Sequence, residues 1–188
     1  MALGIWRRFA PADHMMNEQP ASIPQPSLRK ALFYGLVLVV VDGLLISGGL
    51  IAVWVGLWQL LVGLPRTLLS KKYAAVRRPR LRIIAVYFVA VILVFVLTAT
   101  FNRIAQSRAE TLVAAIKTFH TKNQRYPKSL AELVPNYYER LPRAKDLSIF
   151  GFFYYSTSDQ ETFLFYVDLP PFGRPTYSFT RNEWGYLD

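Results

Sequence analysis

The sequence predicts an α+β membrane protein: two spanning helices, the second running on as an amphipathic helix that packs on a three- or four-stranded antiparallel sheet. Three observations lead there. Residues 31–64, with Asp42 as the only charge, and residues 83–101, with none, are each long enough to cross a hydrocarbon core, which takes about 20 apolar residues. Between them, residues 65–82 hold seven basic side chains and no acid. From Phe150 onward, short runs of alternating aromatic and polar residues are separated by turn residues.

Residues 1–30 contain four prolines and no sustained periodicity, the signature of a flexible tail. Met15 and Met16 are alternative starts, and no apolar core of useful length follows Arg7 and Arg8, so no cleavable signal peptide is expected. The block at 31–64 is longer than one straight span needs. A single helix over about residues 44–64, with Asp42 near the headgroups, is favoured over a hairpin broken at Ser47-Gly48-Gly49, because each half of a hairpin would have only about 16 residues. Asp42 has no charged partner in its block, so it is read as an interfacial or helix-packing group rather than part of an ion path.

The formal net charge is +10, and its distribution decides its meaning. Residues 65–82 supply the excess through Arg66, Lys71, Lys72, Arg77, Arg78, Arg80 and Arg82. A short basic loop joining two apolar blocks marks the cytoplasmic side and suits contact with anionic lipid headgroups. With no recognition motif and no basic face interleaved with aromatics, nucleic acid is not an expected partner. The orientation makes the chain multi-pass and puts its C-terminal part outside the cytoplasm.

The second span occupies residues 83–101. Neither Gly nor Pro occurs between Leu81 and Pro127, so the helix is expected to continue to about Asn123. Past Phe101 the apolar positions are Ala105, Ala109, Leu112, Ile116 and Phe119, spaced by three and four, with Lys117 and Lys122 on other faces. Ser129 and Glu132 have capping-box spacing for a short helix stopped by Pro135. Strands are expected over residues 150–156, 162–168 and 176–180, with a fourth near 184–187. Residues 102–188 thus form one extracytoplasmic α+β domain.

The order of these elements resembles type IV pilins and type II secretion pseudopilins. Residues 114–142, AAIKTFHTKNQRYPKSLAELVPNYYERLP, sharpen the likeness. They are similar to the segment after the helix in the major pseudopilin, protein G, where a helix end, a Tyr-Pro pair, a Ser-Leu and a Leu-Val-Pro recur in that order. The resemblance covers about 85 residues, from roughly Arg103 onward. It implies a pilin-like fold, a place in a bacterial inner membrane with the C-terminal domain in the periplasm, and a role in secretion, pilus or envelope assembly. The run from Ile83 departs from the family in lacking the preceding Gly and the Glu five residues in, so prepilin cleavage and fibre polymerisation are not expected. The family also binds calcium near its C-terminal loops. Asp159, Asp168, Glu183 and Asp188 are the available oxygens here, but they form no loop motif and are read as turn acids.

No enzymatic constellation stands out. G-x-S-x-G, H-E-x-x-H, Walker A and G-x-G-x-x-G are absent, as is cysteine, so no enzyme and no cofactor are expected. His14 and His120 are the two histidines, and a zinc site would take them out of a flexible tail and a helix surface, so none is expected; Thr118 and Thr121 cannot face His120 on a helix. The expected function is a non-enzymatic membrane-anchored domain that docks other envelope proteins or a second copy. The alternative is a binding module for a small ligand or an envelope polymer that uses Tyr154, Tyr155, Tyr166, Tyr177 and Trp184. The direction in which these five rings point discriminates the two.

Overall fold

The computed structural model describes residues 27–158, 161–170 and 172–187. Ser27 caps α1 (Leu28–Leu38), its hydroxyl accepting from the Lys30 amide, so residues 28–30 belong to a helix rather than to a tail. A π-helical stretch, Val39–Ile46, extends it, and α2 (Leu50–Trp58) follows after a break. A second π-helical stretch, Gln59–Gly63, leads into α3 (Leu64–Leu69). The basic segment is helical too: a 3-10 helix at Lys71–Val76 runs into α4 (Arg77–Asn123), 47 residues or about 70 Å at 1.5 Å per residue.

The single helix expected over residues 44–64 does not form; the chain makes the hairpin instead. Gly35 lies beside Val86 and Ala90, and Gly43 beside Val94 and Leu97. Past the break, Gly49 lies beside Phe95, Gly56 beside Val91 and Gly63 beside Ile84. The first arm therefore runs parallel to α4 and the second runs back along it, with Leu38, Ala52, Ala90, Val91 and Val94 packed between them. Ser47 and Gly49 turn the chain in left-handed conformations, with φ of 57° and 73°. The turn strips the first amides of α2 of partners, and Asp42 supplies them. Its carboxylate accepts from Gly49 N at 3.1 Å and Ala52 N at 2.7 Å, so this fully buried acid is a capping group.

Two helical runs, Leu50–Leu69 and Lys71–Asn123, are long and apolar enough to cross a membrane. Large apolar side chains around them stand exposed, among them Trp54 at 73% and Leu61 at 67%.

Beyond Phe101, α4 carries the sheet. β1 (Phe153–Thr157), β2 (Thr162–Tyr166), β3 (Pro175–Ser178) and β4 (Glu183–Tyr186) form an antiparallel meander in chain order. The first two strands are narrower than the sequence suggests, because residues 150–152 and 167–168 belong to loops. Leu164 and Tyr177 pair across the sheet and face α4, where they join Leu112, Val113, Ile116 and Phe119 in the main core. Ala105, Ala109, Ala144 and Tyr166 make a smaller cluster nearer the hairpin, where the alanines let the sheet approach closely. The capping box forms only in part. Ser129 makes no capping bond, and Glu132 reaches past it to the Lys128 amide and to Arg125.

Candidate functional site

Three places gather the chemistry: the basic end, the hairpin tip under the domain, and a cavity between α4 and the edge of the sheet.

At the basic end Arg66 lies in α3, Lys71 and Lys72 in the 3-10 helix, and Arg77, Arg78, Arg80 and Arg82 in the first turns of α4. All are exposed except Arg80, which lies half-buried over the Tyr73 ring at 3.7 Å. Arg77 donates to the Leu68 carbonyl and ties the two helices together. Among the described residues none of the seven is paired with an acid, so their field is uncompensated. Arg66 and Arg80, with Trp58 and Gln59, line an open cleft of about 400 Å³. Such a cleft suits an anionic group.

The opposite end of the hairpin is bonded into the domain. Ile149 N donates to the Leu45 carbonyl at 2.9 Å, and the Ser148 hydroxyl to that of Ile46 at 3.2 Å. The Lys145 ammonium donates to the Asp168 carbonyl at 2.7 Å and, at 3.5 Å, to that of Ser47. Lys145 is only 2% exposed, and burial pushes its pKa down to about 8 against the opposing pull of the Asp168 charge. The loop carrying these groups is closed by Gly151, whose carbonyl accepts from Ala144 and Lys145. It is tied to α4 by Arg108, which forms two bonds to the Asp146 carboxylate at 2.8 and 2.9 Å and holds its pKa below the usual carboxylate range.

The five aromatic residues divide. Tyr166 and Tyr177 are buried against α4, and Tyr155 is half-buried with its hydroxyl on the Pro127 carbonyl. Tyr154 is 40% exposed on the other face, stacked on Phe165 at 4.9 Å, with Phe163 alongside. Trp184 packs edge-on against Tyr177 and stays 37% exposed, because β4 overhangs the helix. The rings therefore form no single open platform.

Under that overhang lies a cavity of about 250 Å³ lined by Asn102, Arg103, Gln106, Tyr166, Asp168, Trp184 and Tyr186. The Tyr186 hydroxyl donates to Asp168 Oδ2 at 3.3 Å, and the Asp168 charge raises the Tyr186 pKa. Among the described residues, Asp168 Oδ1 and Asn102 Oδ1 have no partner. Tyr186 and Asn102 carry no periodic or motif signal, and only the fold brings them to Asp168.

Of the four calcium candidates, Asp159 and Asp188 lie outside the described residues. Glu183 faces Arg181 and Asp168 faces Tyr186, and among the described residues no three His, Cys, Asp or Glu side chains gather around one point. His14 also lies outside the described residues, and His120 stacks on Tyr126 at 4.2 Å. No protein-family model, no curated protein and no solved structure matches this chain.

Proposed function

We propose that this chain is a non-enzymatic, multi-pass protein of a bacterial inner membrane that holds its α+β domain on the periplasmic side as a docking module for other envelope proteins. The observation that carries the reading is the division of its surface. An apolar hairpin and the apolar half of α4 stand bare at one level, seven basic side chains with no acidic partner among the described residues lie at one end, and a folded sheet lies at the other. In a bilayer the apolar surface is covered by acyl chains and the basic end meets anionic headgroups on the cytoplasmic side. A long helix continuing into a four-stranded meander also supports the pilin-like reading, and with it a role as an accessory of secretion, pilus or envelope assembly. The outer strip of Tyr154, Phe163 and Phe165 is the docking face, since aromatic side chains give much contact area for little lost entropy.

Two experiments test this. A reporter active only outside the cytoplasm, fused after Asp188, works if the orientation is right, and a cytoplasm-only reporter working there reverses it. A photoreactive residue in place of Tyr154 should give a discrete cross-linked band in intact cells, while one in place of Lys128 should not. Absence of a band from Tyr154 refutes the docking face.

A second reading is favoured by the unpartnered oxygens of Asp168 and Asn102. In that reading the cavity holds a small ligand rich in hydrogen-bond donors, stacked on Trp184. Loss of binding on Trp184→Ala, with the melting temperature preserved, is its signature.

A further inference from the structure

We propose that the two loops around the hairpin tip, residues 145–152 and residues 168–170 with 172–173, form a collar whose apolar side chains insert into the periplasmic leaflet at the boundary between headgroups and acyl chains. The inference rests on the membrane reading above and goes beyond it, because it puts part of the folded domain, not only helices, in lipid.

Level comes first. Gly43 lies beside Leu97 and Gly49 beside Phe95, so the tip joining them sits within about one turn of Phe101, where the apolar run of α4 ends. Ile149 is bonded to Leu45, which precedes the tip, and Pro170 touches Gly48. Both loops therefore reach down to the last turn of the apolar run. Composition agrees with level. Leu147, Ile149, Phe150, Phe152, Leu169 and Phe172 are between 36% and 69% exposed, far more apolar surface than two loops of a domain facing water on all sides would show. The loops' polar groups are engaged within the protein: Asp146 with Arg108, Ser148 with the Ile46 carbonyl, and Lys145 with the carbonyls of Asp168 and Ser47.

Beneath the collar lies a cavity of about 310 Å³ between Ile149, Phe150 and Pro170 on one side and Ile46, Leu50 and Ile51 on the other. Asp42 forms part of its wall, but both carboxylate oxygens are occupied by the amides of α2. The remaining lining is apolar, and an acyl chain of the same leaflet fills it.

The chain has no cysteine, so single labels can be placed without removing any. Nitroxide labels would be attached to Ile149→Cys, Phe172→Cys, Ile92→Cys and Lys128→Cys of the full chain in bilayers of phosphatidylcholine and phosphatidylglycerol. Power saturation compares their accessibility to oxygen and to a water-soluble nickel chelate. All four side chains are exposed, so the labels should leave the fold intact. The expected result is an oxygen-to-nickel ratio several-fold higher at Ile149 and Phe172 than at Lys128, approaching that at Ile92. Lipid-like values at Ile92 with water-like values at both collar positions overturn the collar and leave the membrane reading standing. Collar labels screened from both reagents mean that protein, such as a second copy, covers the loops, which also overturns it. Water-like values at Ile92 itself remove the membrane reading and the collar with it.

Discussion

Single residues at the junction of hairpin and domain carry the sharpest consequences. Gly151 is one: a β-carbon there would overlap the Lys145 carbonyl oxygen, a backbone atom that cannot swing aside. Gly151→Ala should therefore open the loop and cost about 1–3 kcal/mol or more, read as a lowered melting temperature of the solubilised protein. Lys145 makes a prediction with a sign. It titrates near 8 in the folded chain against an ordinary value of 10.5, so below pH 8 both states are charged and the burial cost is present in full. Between pH 8 and about 10.5 the folded state has released a proton that the unfolded state keeps, and stability rises with pH. Tyr155 and Tyr166, pushed by burial to about 12, act in the opposite sense above their ordinary value of 10, so the clean window is pH 8 to 10. The wild-type melting temperature should climb across that window and that of Lys145→Met should stay level. The burial of Leu112, Ile116 and Phe119 was legible because three-and-four spacing alone aims them at one face. The partner of Lys117 was not. Its ammonium bonds Asn182, 65 positions away in a left-handed turn, at 2.6 Å, and no local pattern announces such a pair.

At the scale of elements, α4 and the hairpin make separable predictions. Ile116 is fully buried between α4 and the sheet, so Ile116→Ala should cost about 2–5 kcal/mol. Lys128→Ala, an exposed side chain beyond the helix, should stay within about 0.5 kcal/mol. Denaturant titration of the full chain, followed by near-ultraviolet dichroism, separates the two, and equal midpoints would mean that the helix does not hold the sheet. Asp42→Ala should cost about 0.5–2 kcal/mol, the range for losing a helix cap. The four strands were legible from alternation and turn residues. The hairpin was misjudged because its arms were bounded where the apolar residues stop. The real arms, Leu28–Ile46 and Leu50–Leu69, pass those limits at both ends and gain the length the apolar count denied them. Asp42 looked partnerless for a related reason: its partners are backbone amides that exist as free donors only once the chain breaks at Ser47.

For the molecule as a whole, the bonds from residues 45–47 to residues 145–149 were illegible in sequence, since they link segments about 100 positions apart through main-chain carbonyls, which every residue has. They predict a measurable dependence. A chain beginning at residue 83, without the hairpin, should keep its sheet, because no core residue of the domain comes from the hairpin. The Ile149 amide should then exchange with solvent far faster than in the full chain, and unchanged exchange would show that the bond to Leu45 does not persist in solution. The tip contact also sets how the domain is mounted. A body on one helix can swivel about that helix and sweep its faces through a cone. Here a second attachment, offset from the axis of α4, removes the swivel, so the aromatic strip of Tyr154 keeps one bearing, and a partner docking there as proposed would meet it without first having to halt its rotation.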